Sequence, residues 1–214
     1  MLAKRSMLSG LHLHRRYPFF FRRTGDYPHI HPTRKVEVRF LSSIVHTQKL
    51  PVPPDPIFSA AFYAPYEAAA NACLSLLCAA RETMAPDVLA LSYRLKSGPS
   101  IRGKLLRKGL TQTAAAAGAA LHDIAGLRVV LSTREAVYRF ADLLLTNKLL
   151  FLDDIHDYIA APKPSGYRSL HLIVRIPVFL HGRHCLIPVE IQLRTAVMDA
   201  WACAEHKLIY KPCI

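Results

Sequence analysis

No two of the five cysteines (Cys73, Cys78, Cys185, Cys203 and Cys213) stand in a CxxC pair. An odd, scattered set argues against a disulfide framework or a zinc knuckle and suits a reducing compartment. No apolar run approaches the ~18 residues that span a bilayer, so no membrane partner is expected. Acid is scarce: 15 Asp and Glu face 28 Lys and Arg, a formal net charge of +13. That imbalance predicts an anionic partner, a phosphate-rich ligand or a nucleic acid such as RNA. Hydrophobic residues make up 51% of the chain, which excludes global disorder. At roughly 150 residues per domain, the length fits one domain with an appendage.

Residues 1–55 are the appendage. Ten Lys or Arg against three acids (Asp26, Glu37 and Asp55) give it +7, and it carries five of the eleven histidines. Its periodicity is poor, and it runs into Pro51, Pro53, Pro54 and Pro56. Three readings stand open: an acid-poor, Arg-rich targeting peptide, a basic arm for nucleic acid, or a flexible extension without function. The flexible extension is the expectation, with a cytoplasmic location; a transit peptide would place the chain in an organelle.

Residues 56–214 read as one folded unit. Residues 66–83 are rich in Ala and Leu and predict a helix. A short apolar segment, 88–95, follows Pro86. Pro99 suits the first position of a second helix and Gly109 its C-terminal cap. On that helix Ser100, Lys104 and Arg107 or Lys108 share a face, while Ile101 and Leu105 share another. Gly103 inside it costs about 1 kcal/mol of helix propensity relative to Ala. Arg94 and Lys96, two apart in an extended stretch, point the same way. Together these residues make either a phosphate cradle beside a helix N-terminus or a solvated basic face. Residues 111–121 read as an Ala-rich helix or connector, and 122–131 as a turn into a buried strand with Asp123 at its mouth. A helix over 134–145, a strand over 150–159 and a Pro/Gly loop over 161–169 come next. Strands over 170–179 and 185–195 form a hairpin, and a helix over 196–210 follows it, with Val197, Ala200, Trp201, Ala204 and Leu208 at helical spacing. The order predicts an α/β fold of mixed α+β type, a small mixed β-sheet flanked by helices.

In residues 189–195 the alternation is strict. Val189, Ile191 and Leu193 face a core, and Glu190, Gln192 and Arg194 line up opposite. The row is either a half-exposed strand face or part of a site. A basic pocket with two separated carboxylates, Asp123 and Glu190, is what magnesium-assisted phosphoryl transfer needs. An aromatic beside a glycine, Tyr167 after Gly166, is a candidate to stack on a nucleobase.

Four stretches, in order and spacing, closely resemble the synthetase domain of RelA/SpoT-type alarmone synthetases. They are YRLKSGPSIRGKLLRKG (residues 93–109), HDIAGLRVV (122–130), DYIAAPKPSGYRSLHLIV (157–174) and VEIQLRTAVMDAWACAEHKLIYK (189–211). The resemblance covers roughly residues 62–210 and points to the small, single-domain branch, with a nucleotidyltransferase-like fold. It implies that Arg94, Lys96, Ser100, Lys104 and Arg107 bind ATP, with Arg128 supporting the nucleotide. It implies that Asp123, with Glu190, holds Mg²⁺, and that Glu190 acts on a ribose 3′-hydroxyl. It implies a guanine nucleotide pocket of Lys163, Tyr167, Arg168 and His171, with Gln192, Arg194, Asp199 and His206 around it. The implied reaction moves the β,γ-pyrophosphate of ATP onto GDP or GTP. The family also implies a homo-oligomer, a tetramer, to which further C-terminal helix is expected to contribute beyond the point where this chain stops.

Two other readings compete. His122-Asp123 prompts a metal phosphohydrolase, which requires further His and Asp ligands. The net charge prompts an RNA-binding relative of the same fold, which leaves two acids in a phosphate-binding groove unexplained, and the short C-terminus prompts a catalytically inactive one.

Overall fold

The computed structural model describes residues 57–180 and 182–210, with side chains through Glu205. The extension expected over 1–55 lies outside the described residues.

Helix α1, Ala60–Thr83, starts six residues before the expected point. Ser59 caps it by accepting from the Phe62 N–H at 3.4 Å, and the helix runs through Pro65 in its second turn. One intrahelical bond is lost at Pro65. A cluster of rings around it, Phe58, Phe62, Tyr63 and Tyr66, spaced 5.0 to 5.4 Å, holds the turn in place. Tyr63, Tyr66, Ala70, Cys73, Leu77 and Ala80 recur every three or four residues and are buried.

The chain continues through β1 (Val88–Leu95), α2 (Gly98–Arg107), α3 (Ala114–Ala120), β2 (Ala125–Leu131) and α4 (Arg134–Leu145). It closes with β3 (Phe151–Asp157), β4 (Leu170–Leu180), β5 (Arg183–Thr195) and α5 (Ala196–Tyr210). Strand β1 is a correction to the expected order, which held only an apolar segment there. As the edge strand beyond β2 it pairs on one side and carries a register shift, and Leu91 alone of its residues is buried, so it never shows a strand's alternation.

The five strands order as β1-β2-β5-β4-β3, with β2 and β5 parallel and every other pair antiparallel. One face is covered: α1 packs on β1, β2, β4 and β5, and α4 on β2, β5 and α1. Between them lie Leu127, Val129 and Leu131 of β2, Val189, Ile191 and Leu193 of β5, and Phe140 of α4, all buried.

The opposite face carries the polar rows. Register aligns Ser92, Arg128, Gln192, His171 and His156 across all five strands. The adjacent row runs Arg94, Gly126, Glu190, Ile173 and Asp154. Helix α5 packs on β5 and β2. Among its described side chains Met198 and Ala202 are buried, whereas Val197 and Trp201, which helical spacing picks out, are 80% and 53% exposed. Trp201 turns instead toward the loop at Gly166.

Candidate active site

The open face lines a cleft of about 850 Å³. One wall is cationic, with Arg94 from the end of β1, Lys96 just after it, and Lys104, Arg107 and Lys108 from α2. The N–H of Lys96 donates to the Ile124 carbonyl at 2.8 Å, and the Tyr63 hydroxyl donates to the Lys96 carbonyl at 2.9 Å. These bonds fix the chain leaving β1 against the loop that enters β2.

Asp123 sits in that loop. Lys96 Nζ and Lys104 Nζ both donate to its Oδ2, at 2.9 and 2.8 Å. Burial pushes the Asp123 carboxyl up, but the two ammonium groups and their hydrogen bonds outweigh it and hold it below the usual carboxylate range. Both cations converge on one oxygen. The other, Oδ1, is buried and has no hydrogen-bond partner.

Glu190 is the second carboxylate, and it belongs to a closed ring of hydrogen bonds. Its Oε1 meets His171 Nδ1 at 3.1 Å, and His171 Nε2 meets the Tyr167 hydroxyl at 2.8 Å. Arg194 Nη2 donates to the Tyr167 oxygen at 2.6 Å and to Gln192 Oε1 at 2.7 Å. Gln192 Nε2 closes the ring by donating to Glu190 Oε2 at 2.6 Å. A carboxylate only accepts, which sets the direction of the bonds to Glu190. Nδ1 of His171 therefore carries a hydrogen and donates to Oε1, and Gln192 Nε2 donates to Oε2, while the Tyr167 hydroxyl and His171 Nε2 share the remaining bond. Burial pushes the Glu190 carboxyl up and the charge of Asp123 adds to that, yet the bonds from His171 and Gln192 prevail and hold it low.

Arg194 anchors the ring. Its side chain is 4% exposed, and it also donates to Ser169 Oγ at 3.3 Å and to Asp199 Oδ1 at 3.0 Å. Asp199 pairs with Arg128 as well, at 3.1 Å. Lys163 lies over the rings of Tyr158 and Tyr167 at 4.5 and 4.8 Å from their centroids, and the Arg194 guanidinium lies 5.1 Å from that of Tyr167.

Arg94, Lys96, Lys104, Arg107, Asp123, Arg128, Lys163, Tyr167, His171, Glu190, Gln192 and Arg194, all read from the sequence as site residues, come together around this cleft. Three do not. Ser100 lies outside the lining, its hydroxyl bonded to that of Ser97 at 2.9 Å. Arg168 is exposed and also outside it, because the extended chain turns alternate residues away and Tyr167 takes the inward position. Asp199 stands behind the lining as a brace for Arg128 and Arg194. The side chain of His206 lies outside the described residues. Sequence reasoning missed Tyr158, which lines the cleft beneath Lys163, and Trp201, whose ring comes within 3.4 Å of a Cβ built on Gly166. Gly166 has a φ of +81°, a backbone conformation that favours glycine, and the Trp201 ring rests beside it.

The geometry makes Arg194 a structural residue first. Arg194→Ala leaves Gln192 Oε1, Ser169 Oγ and the Tyr167 oxygen without their donor and takes one of the two cations from Asp199, so it is expected to cost about 3–5 kcal/mol of folding stability. Denaturant titration checks this, and a loss below about 1 kcal/mol contradicts it. A second outcome follows from pH. The Asp123 carboxyl is held below its unfolded value, so its contribution to stability is full above the ordinary carboxylate range and is lost as pH falls through the folded value. Asp123→Asn is therefore less stable than the parent chain at neutral pH, and the gap narrows as the solution is acidified below pH 3.8, the ordinary value of this carboxyl. Equal gaps in denaturant midpoint at neutral and at acid pH contradict that.

Comparison with known proteins agrees with this geometry. The model of a region found in RelA/SpoT proteins matches residues 93–213. GTP pyrophosphokinase YwaC of Bacillus subtilis is 45% identical over 118 residues, 55% of this chain and 56% of the relative. GTP pyrophosphokinase YjbM of the same organism is 41% identical over 91 residues, 42% of this chain and 43% of the relative. The chain thus spans about half the length of the curated relatives it matches. Small alarmone synthetase 1 from Bacillus subtilis, solved with its product pppGpp, superposes with a TM-score of 0.66 at 32% identity, over 71% of this chain and 79% of that one. With a matching region that takes in both carboxylates, the cationic helix and the whole hydrogen-bonded ring, the chain belongs to the RelA/SpoT family.

Proposed function

We propose that the chain is a GTP/GDP pyrophosphokinase, which transfers the β,γ-pyrophosphate of ATP to the 3′-hydroxyl of GDP or GTP and yields ppGpp or pppGpp and AMP. One observation carries the reading: two carboxylates with different partners, both held ionised, share a single cleft otherwise rich in Lys and Arg. A site built only to bind polyanions gains nothing from two negative charges, whereas in-line phosphoryl transfer uses one to seat a metal and one to orient a hydroxyl.

Mg²⁺ suits the donors present. Oδ1 of Asp123 is buried and unpartnered, and among the described residues no group of three His, Cys, Asp or Glu side chains forms a metal cage. Mg²⁺ takes one or two protein carboxylates and completes its shell with substrate phosphates and water. Asp123 and Glu190 would hold it, and it would neutralise charge on the reacting phosphates. The same lack of a third protein ligand weighs against the phosphohydrolase reading of His122-Asp123.

The chain's own groups do the rest. Arg94, Lys96, Lys104 and Arg107 draw in the triphosphate of ATP. Tyr167 offers its ring to the guanine, and Lys163 stands beside it to meet phosphate. Glu190, ionised and gripped at both oxygens, accepts the hydrogen bond of the 3′-hydroxyl and so aims its oxygen at the β-phosphorus. The 3′-oxygen to β-phosphorus bond forms as the bond from β-phosphorus to the bridging α-oxygen breaks. The electron pair leaves with AMP, and the hydroxyl proton passes to Glu190. A group with so low a proton affinity works more by orienting the hydroxyl than by pulling its proton early.

Incubating the protein with γ-labelled ATP, GDP or GTP and Mg²⁺ tests the proposal. The label is expected in a guanosine tetra- or pentaphosphate. Asp123→Asn and Glu190→Gln should each lower turnover by about 10²- to 10⁴-fold. Near-normal turnover in either variant sinks the assignment of roles.

A further inference from the structure

Gly126 is the second residue of β2, which lies between β1 and the central strand β5, and its partners across the sheet are Arg94 on one side and Glu190 on the other. Glycine is a poor choice there, since it weakens a strand and offers nothing to pack. The usual reasons for keeping one are absent. Its φ lies outside the left-handed region that favours glycine. No side chain or backbone leans over it either: a Cβ built on Gly126 meets no heavy atom within 4 Å. Neither folding nor packing accounts for the missing side chain.

The space over Gly126 belongs to a recess of about 200 Å³ that opens between the two carboxylates. Asp123 and Arg94 border it on one side, Glu190 and Gln192 on the other, and Arg128 stands beside it. The geometry points to a steric role for Gly126: it keeps the floor clear where a triphosphate coming from the Asp123 side and a ribose hydroxyl held at Glu190 must meet. Gly126 therefore sets whether both nucleotides fit at once, not whether either one binds. The inference rests on the pyrophosphokinase reading. In that reading the reacting atoms must approach to about 3–3.5 Å, and a displacement of 1 Å costs about 10²-fold in rate. A valine there fills the meeting point while leaving the guanine platform at Tyr167 and the cations of α2 untouched.

The test uses Gly126→Ala and Gly126→Val in the full chain. Both are expected to melt at or above the parent's temperature, since each replaces glycine in an unstrained strand. Each should bind α,β-methylene ATP alone, and GDP alone, as the parent does. The parent saturated with α,β-methylene ATP and Mg²⁺ still binds GDP. Gly126→Val in that state should bind GDP at least about 10²-fold more weakly and lose turnover to a similar degree, with Gly126→Ala between the two. If the valine variant does not fold, the alanine variant decides by the same readouts. Parent-like GDP binding to the analogue-saturated variant overturns the inference, and so does loss of either nucleotide on its own. A parent chain that binds both nucleotides yet makes no alarmone refutes the pyrophosphokinase reading and leaves the binding comparison standing.

Discussion

Two partly buried carboxylates stay ionised in this molecule, and the rest of the site follows from what that demands. Desolvation pushes both toward the neutral form, so each needs donors held in place. For Asp123 they are two ammonium groups, brought by the end of β1 and by α2. The hydrogen bonds that pin the backbone of Lys96 to Ile124 and to Tyr63 make sense as fixtures for that convergence. For Glu190 they are an imidazole N–H and an amide, set in a ring that Arg194 anchors. A large positive net charge is how such a site is supplied, with cations left over for phosphates.

The sheet decides where the two acids stand. Pairing β2 parallel to β5 puts Gly126 level with Glu190, and Asp123 lies just before β2 begins. One register shift would exchange the faces and bury the polar rows against α1. The covered face prevents this, because Leu127, Val129, Ile191 and Leu193 are fully or almost fully buried there. The apolar side thus fixes the register, and the register fixes the chemistry on the other side. The ring adds a further link. Tyr167, the aromatic platform, bonds through its hydroxyl to His171 and Arg194, two of the groups that hold Glu190 and Gln192. Under the proposed function, a nucleobase seated on Tyr167 would rest on the same framework that aims Glu190.

Much of this was legible in the sequence. The alternation over 189–195 separated the core residues from the polar row, and the clustering of Arg94, Lys96, Lys104 and Arg107 was readable from their spacing, whereas the convergence of Lys96 and Lys104 on Asp123 was not. Features set by distant partners were not. Arg194 reads as one member of a solvent-side row, yet it is buried, because Ser169 and Tyr167, 25 and 27 residues earlier, fold against it. Strand β1 is little buried on either face, so its residues show no in/out alternation and it read as a mere apolar segment. Helical spacing on α5 chose Val197 and Trp201, but spacing cannot tell which face of a helix finds a neighbour. Ser100 shares a helix face with Lys104, yet it bonds Ser97 at the other end of that helix.

Glu190 and Tyr167, the proposed base and guanine platform, form one hydrogen-bonded unit. Tyr167→Phe tests it most directly, since the ring that would stack is kept and only the hydroxyl that joins it to His171 and Arg194 is removed. Turnover and guanine nucleotide affinity are measured on the same protein. The account predicts unchanged affinity with turnover lowered by about 10²-fold, the scale of a misaimed reacting group. Parent-like turnover would contradict it, and would mean that Glu190 is held without help from the platform.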